Sequence, residues 1–184
     1  MTALLAGCAT IIHDVKPTVE GLPEVQKIPL HAGVYYSPQF ASHAQTRKYG
    51  DNNVGWNIGP ASVAYFEQVF PRVFAKTSRV EMLAADELAK KGVDLVIAPS
   101  LEHFDFPMGM ESYSERFGVS YRTTLYTPSG VPVSSWVVYA TVNHWGMFGG
   151  HIEAYIQKAG EKLVRTFEQE SGPGSHRFEP AACS

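Results

Sequence analysis

From Phe117 to Tyr126 the chain alternates, with Phe117, Val119, Tyr121, Thr123 and Leu125 on one face and Arg122, Thr124 and Tyr126 on the other. Thr127-Pro128-Ser129-Gly130 follows, and Val131 to Asn143 returns. Successive side chains of a strand point to opposite faces, so a period of two predicts a half-buried strand. The Pro-Ser-Gly sequence then closes an antiparallel hairpin. A hairpin with one apolar face needs something to cover that face, which directs the reading of every other segment.

Two helices can supply the cover. Gly59-Pro60 opens the first, with proline where its missing N–H costs nothing. Val63, Phe66, Phe70, Val73 and Phe74 then fall on one stripe of a 3.6-residue period, and Pro71 predicts a kink near Glu67. The second runs from about His151 to Gln169, with Ile152, Tyr155, Ile156, Ala159, Leu163 and Phe167 on one face. Elsewhere the sequence predicts strands at Lys27–Phe40, Arg79–Leu83 and Val93–Phe106, the last bent at Pro99. A bulge is expected at Ala32-Gly33, and a short helix at Ala84–Lys91 stopped by Gly92. Polar residues from Ala41 to Asn57 read as a long surface loop. This order predicts an α+β fold, a mostly antiparallel or mixed sheet with helices packed on one face.

At 184 residues the chain is long enough for one domain with a real core, and 18% charged residues are too few for global disorder. A formal net charge of −3 gives no electrostatic reason to expect a nucleic-acid partner. No apolar run reaches the ~18 residues of a membrane-spanning helix. Two cysteines, Cys8 and Cys183, exclude a zinc-finger pattern and a disulfide scaffold. Cys183 reads as a free thiol on the tail.

The stretch Leu5-Ala6-Gly7-Cys8 resembles the lipobox of bacterial lipoproteins: an apolar residue, two small ones, then cysteine. The resemblance implies cleavage before Cys8, diacylglycerol on its sulfur and a further acyl chain, such as palmitate, on its amine. Two or more acyl chains anchor a protein stably. Ala9 is not the aspartate associated with inner-membrane retention, which points to the outer membrane with the domain in the periplasm. Only seven residues precede Cys8 and none is basic, whereas a signal peptide has a basic start and ~7–15 apolar residues. The lipobox reading therefore expects the true start upstream of Met1; the alternative is a short apolar stub. The expected organisation is a truncated signal peptide at 1–7, a tether at 8–26 around Pro17, Gly21 and Pro23, a single domain at 27–170 and a flexible tail at 171–184.

Ile58-Gly59-Pro60 ahead of the Phe-rich helix, Val96-Ile97-Ala98-Pro99 on a strand and the hairpin feeding the last helix give an element order that resembles small envelope lipoproteins. These are the ABC-transport auxiliary, YajG-like and polysaccharide-export lipoproteins, related in fold to the amino-terminal domain of the Tol-system propeller protein. The resemblance implies a non-enzymatic role and, because such families often form rings, a homo-oligomer.

The sequence carries no recognised catalytic constellation. Gly146-Met147-Phe148-Gly149-Gly150 lacks the Lys-Ser/Thr end of a phosphate loop, and no Gly-x-Ser-x-Gly elbow surrounds Ser129, Ser134 or Ser135. No cofactor is implied. His103, Asp105, His144 and His151 are weak metal candidates without a recognised ligand spacing. Trp136, Trp145, Met147 and Phe148 crowd the end of the hairpin; exposed together they would mark a membrane or protein contact, and buried they would plug the core. The reading that follows is a lipid-anchored periplasmic accessory or scaffold of an envelope assembly or transport system. It would be held at the outer membrane through lipid on Cys8, with like subunits or envelope proteins as partners. The alternatives are a periplasmic lipid- or glycan-binding module and, further off, a metal-dependent hydrolase.

Overall fold

The structure, a computed structural model, describes residues 10–49, 51–105, 118–141 and 152–171. It is an α+β fold around a five-stranded mixed sheet. In spatial order the strands are β5 (Phe74–Val80), β2 (Ile28–Tyr35), β6 (Leu95–Asp105), β7 (Gly118–Tyr126) and β8 (Pro132–Thr141). β5, β2 and β6 run parallel, while β6, β7 and β8 are antiparallel. The hairpin has the expected pairing, from Gly118 opposite Thr141 to Leu125 opposite Ser134, with a register shift before Tyr126.

Helix α2 (Ile58–Val73) and helix α4 (Ile152–Glu170) cover one face of this sheet. In α4 the buried residues fall at Ile152, Tyr155, Ile156, Ala159, Gly160, Leu163, Val164 and Phe167, a continuous stripe at helical spacing. In α2 the buried stripe is wider than expected and includes Tyr65 and Val69. Between helices and sheet lies an aromatic core. Phe66 packs on Phe70 with ring centroids 5.4 Å apart and meets Tyr121 edge-on at 5.1 Å. Phe167 receives Phe74 edge-on at 5.4 Å. Such edge-to-face pairs place a positive ring edge on a negative ring face. One polar link crosses this core: Tyr121 Oη and Ser62 Oγ share a hydrogen bond of 2.7 Å, and Ser62 Oγ donates to the Ile58 carbonyl at 2.6 Å.

The short helix α3 (Ala85–Lys91) packs on the other face, where Leu88 joins Val80, Val93 and Val96 in a second, smaller cluster. It ends at Gly92, whose φ of +60° is the left-handed conformation typical of a helix stop. His31 locks the parallel strands beside it. Its Nδ1 donates to the Gly92 carbonyl at 2.9 Å, its Nε2 meets Ser78 Oγ at 2.8 Å, and its backbone N–H donates to Asp94 Oδ2 at 2.7 Å.

The remaining expectations are corrected in four places. Residues 41–57 are not a loop: after α1 (Pro38–Ala41), β3 (Gln45–Tyr49) and β4 (Asn52–Trp56) form an antiparallel pair, and β1 (Thr10–His13) joins β4 in parallel. The described part of the expected tether is held on the domain. Val15 and Leu22 are buried in the core, and Gln157 Nε2 on α4 donates to the Glu20 carbonyl at 2.5 Å. Prolines and glycine there prevent regular structure, but they do not prevent burial of the apolar side chains between them. Phe74 starts β5 rather than ending α2, so that strand runs earlier than Arg79–Leu83. The register irregularity of β2 lies between Ile28 and His31, not at Ala32-Gly33, and β6 carries one between Leu101 and His103. Pro99 fits in β6 because pairing with β2 stops at Ile97, so its missing N–H breaks no ladder bond on that side.

Candidate interaction surface

The described residues with the strongest claim to contact another molecule are on the outer face of the hairpin. Cross-strand pairing fixes the faces of β7 and β8. Tyr121 opposes Val138 and Thr123 opposes Trp136 on the helix side, while Arg122 opposes Val137 and Ser120 opposes Tyr139 on the outer side. On the outer side Val137 is 50% and Tyr139 41% exposed, and Val133, at the register shift, is 57% exposed. Single exposed apolar residues are ordinary on a protein surface, but a row of them along one strand is a candidate contact surface.

A charged pair borders this row. Arg122 Nε donates to Glu102 Oε1 at 2.8 Å and Arg122 Nη2 to Glu102 Oε2 at 3.3 Å, a two-pronged grip. The Arg122 hydrogen bond holds the Glu102 carboxyl below its ordinary range and raises Arg122 in turn. Arg122 Nη1 also reaches Ser135 Oγ at 3.4 Å, tying all three strands together on this face.

β8 is the last strand of the sheet, and an exposed edge invites strand addition. Here the edge is obstructed at both ends. Pro132 has no N–H to offer, and Lys162 Nζ on α4 donates to the Tyr139 carbonyl at 2.6 Å. A partner on this side would therefore meet the side chains of the face more readily than the backbone of the edge.

Of the residues singled out from sequence, Trp136 points inward. It is half-buried on the helix side and meets Phe167 edge-on at 5.7 Å, so it belongs to the core and not to the exposed row. The alternation that placed Trp136, Val138 and Ala140 on one face of β8 also placed Val133, Val137 and Tyr139 on the other. Separating the two faces of that strand would have found the row. His103 is exposed and pairs with Ser120 on the outer side, and the backbone of Asp105 follows two residues on in the same register. Cys8, Trp145, Met147, Phe148, His144 and His151 lie outside the described residues, as does the side chain of Asp105. Among the described residues no three His, Cys, Asp or Glu side chains converge as metal ligands, and no helix is long and apolar enough to cross a membrane.

No protein-family model matches the chain, and no curated protein matches it in sequence. Solved structures do match in fold. PelC from Paraburkholderia phytofirmans, solved as a dodecamer, superposes with a TM-score of 0.50 at 12% identity, over 79% of this chain and 94% of that one. A DUF330 protein from Xanthomonas campestris gives 0.45 at 13% identity, over 89% and 95%. A Neisseria meningitidis lipoprotein gives 0.37 at 8% identity, over 75% and 99%. At these identities the likeness to PelC is one of fold alone.

Proposed function

We propose that this chain is a lipid-anchored, non-enzymatic accessory or scaffold of a bacterial cell-envelope assembly or transport system, working in the periplasm at the outer membrane as a homo-oligomer. The observation that carries the reading is the spacing between Cys8 of the lipobox-like Leu5-Ala6-Gly7-Cys8 and β1. Only Ala9 separates Cys8 from Thr10, where β1 begins and joins the small sheet through β4. Acyl chains on Cys8 would hold the domain directly against the membrane surface, with no long leash. Anchoring confines copies to a plane and raises their effective concentration, so a modest interface suffices for assembly. The exposed Val133, Val137 and Tyr139 row would supply such an interface, and PelC, similar in fold and solved as a dodecamer, supports a homo-oligomeric reading.

The test has two arms. Expressed with its native upstream sequence in a bacterial host, the protein incorporates labelled palmitate and fractionates with outer membranes, and Cys8→Ala abolishes both. A palmitate-free wild type would refute the anchor. In sedimentation at micromolar concentration the wild type runs larger than a monomer and Val137→Asp shifts it towards monomer. A wild type that stays monomeric on vesicles and in solution would refute the scaffold.

A further inference from the structure

Away from the hairpin face, large apolar side chains are exposed on β1, where Ile11 is 49% and Ile12 39% accessible. They are consecutive in a strand, so they point to opposite faces of the small sheet. The pairing of that sheet sets what accompanies each. Ile11, Val54 and Arg47 lie in one row across one face, while the other face carries Ile12 on β1 and Lys48 on β3. Arg47 and Lys48 are both exposed. Each face therefore has the same cross-section: an isoleucine on β1 and a cation on β3, two strand spacings or about 10 Å away. β1 is an edge strand and all four of its residues are exposed. On β4, Trp56 packs against the main core and holds the sheet to the domain. The acids nearby are Asp14, which accepts from Asn57 Nδ2 at 3.2 Å, and Asp51 in the turn between β3 and β4, which offsets part of the positive charge.

A protein laid on one face of this sheet would cover one isoleucine and leave the other in water. A lipid surface entered edge-on covers both, because lipid closes around the edge from either side. The depth agrees as well. Interfacial elements bury their apolar side by about 5–10 Å, so with β1 at that depth the cations of β3 lie among the lipid phosphates. The unpaired N–H and C=O groups of an edge strand need water, which the headgroup region supplies and the hydrocarbon core does not. The course of the chain decides which edge enters: Cys8 lies two residues before Thr10, the first residue of β1, and so at the apolar edge rather than the cationic one. We propose that the small sheet is a lipid contact built of protein, entering an anionic phospholipid surface edge-on with Ile11 and Ile12 below the phosphates and Arg47 and Lys48 among them. The proposal rests on the anchored reading for the presence of a membrane beside β1, but the contact itself needs no acyl chain.

Flotation of the full-length, unacylated Cys8→Ala chain with vesicles tests it, using phosphatidylcholine alone and an equal mixture with phosphatidylglycerol. The chain is expected to float with the mixed vesicles at millimolar lipid, and less with phosphatidylcholine alone or at high salt. Ile11→Ser combined with Ile12→Ser weakens partitioning by roughly tenfold, and Arg47→Gln combined with Lys48→Gln also by roughly tenfold. Circular dichroism checks the fold of each pair; should the serines disturb the small sheet, the glutamines, which change only exposed side chains, carry the test. No flotation, equal flotation with and without phosphatidylglycerol, or flotation undiminished in folded variants would each overturn the proposal. So would a lipid-free oligomer that the serine pair disperses, since the edge would then belong to a second copy. The anchor fails separately: a wild type without palmitate refutes acylation, whereas flotation is read on a chain that has none.

Discussion

Gly160 of α4 lies against Tyr65 of α2, and replacing it tests the contact between the two long helices. It sits in mid-helix, where alanine is normally better than glycine by about 0.5–1 kcal/mol. Tyr65 of α2 lies directly against it. A Cβ on residue 160 would overlap the Tyr65 ring edge and hydroxyl and approach Tyr65 Cζ to 2.7 Å. The ring has nowhere to go, because Tyr65 is fully buried and its hydroxyl donates to the Gln157 carbonyl of α4 at 3.0 Å. Overpacking of this kind costs about 1–3 kcal/mol, and a displaced hydroxyl loses a hydrogen bond worth about 1 kcal/mol. Subtracting the propensity gain leaves Gly160→Ala less stable by about 1–3 kcal/mol. At ~2–4 °C per kcal/mol for a chain of this size, Tm falls by roughly 2–12 °C. Urea unfolding followed by circular dichroism measures it, with Tyr65→Leu in the Gly160→Ala background as the companion. The leucine removes the obstructing ring, so the cost of Gly160→Ala measured against Tyr65→Leu should nearly vanish. A Gly160→Ala protein as stable as wild type, or an undiminished cost beside leucine, would refute this account of the helix contact.

Other consequences can be checked on the same protein. Ser62→Ala removes the partner of the fully buried Tyr121 hydroxyl and should cost about 1–3 kcal/mol in urea unfolding, most of it recovered when Tyr121→Phe is added. Burial raises the phenols of Tyr36, Tyr65 and Tyr121 above 10.0 in the folded chain. An unfolded chain ionises them near 10, so stability is held up to about pH 10 and falls as pH rises further. The tyrosinate absorbance of these three should then appear together with unfolding and not before it. Phe167→Ala removes the ring that Phe70, Phe74 and Trp136 all meet edge-on and should cost about 3–5 kcal/mol in the same assay.

The parts legible in the sequence share one property: a short stretch of chain contains the whole signal. The β7–β8 hairpin was readable because alternation and a Pro-Ser-Gly turn are both local. Helices α2 and α4 were readable because a 3.6-residue stripe shows itself within a few turns, and α3 because Gly92 marks its end. The small sheet was not readable. Gln45–Tyr49 and Asn52–Trp56 are polar strands held by backbone pairing, so burial imposes no alternation on them. The pairing of β1 with β4, about 40 residues apart in sequence, leaves no trace in either segment. The exposed row on β8 lies between these cases, since the alternation was present but the face turned to solvent was not known.

The sequence by itself therefore determined the fold class, the two covering helices and the hairpin, and it alone carries the lipobox-like Leu5-Ala6-Gly7-Cys8 on which the proposed anchor rests. Only the tertiary structure decided that β2 lies between β5 and β6 in parallel, that residues 15–25 pack on the domain, and that Trp136 turns inward while Val133, Val137 and Tyr139 turn out. It alone placed Tyr36 and Pro71 on the lining of one cleft. The physical reason is that periodicity records which side of an element is buried, whereas the identity of its neighbour is set by contacts between residues distant in the chain.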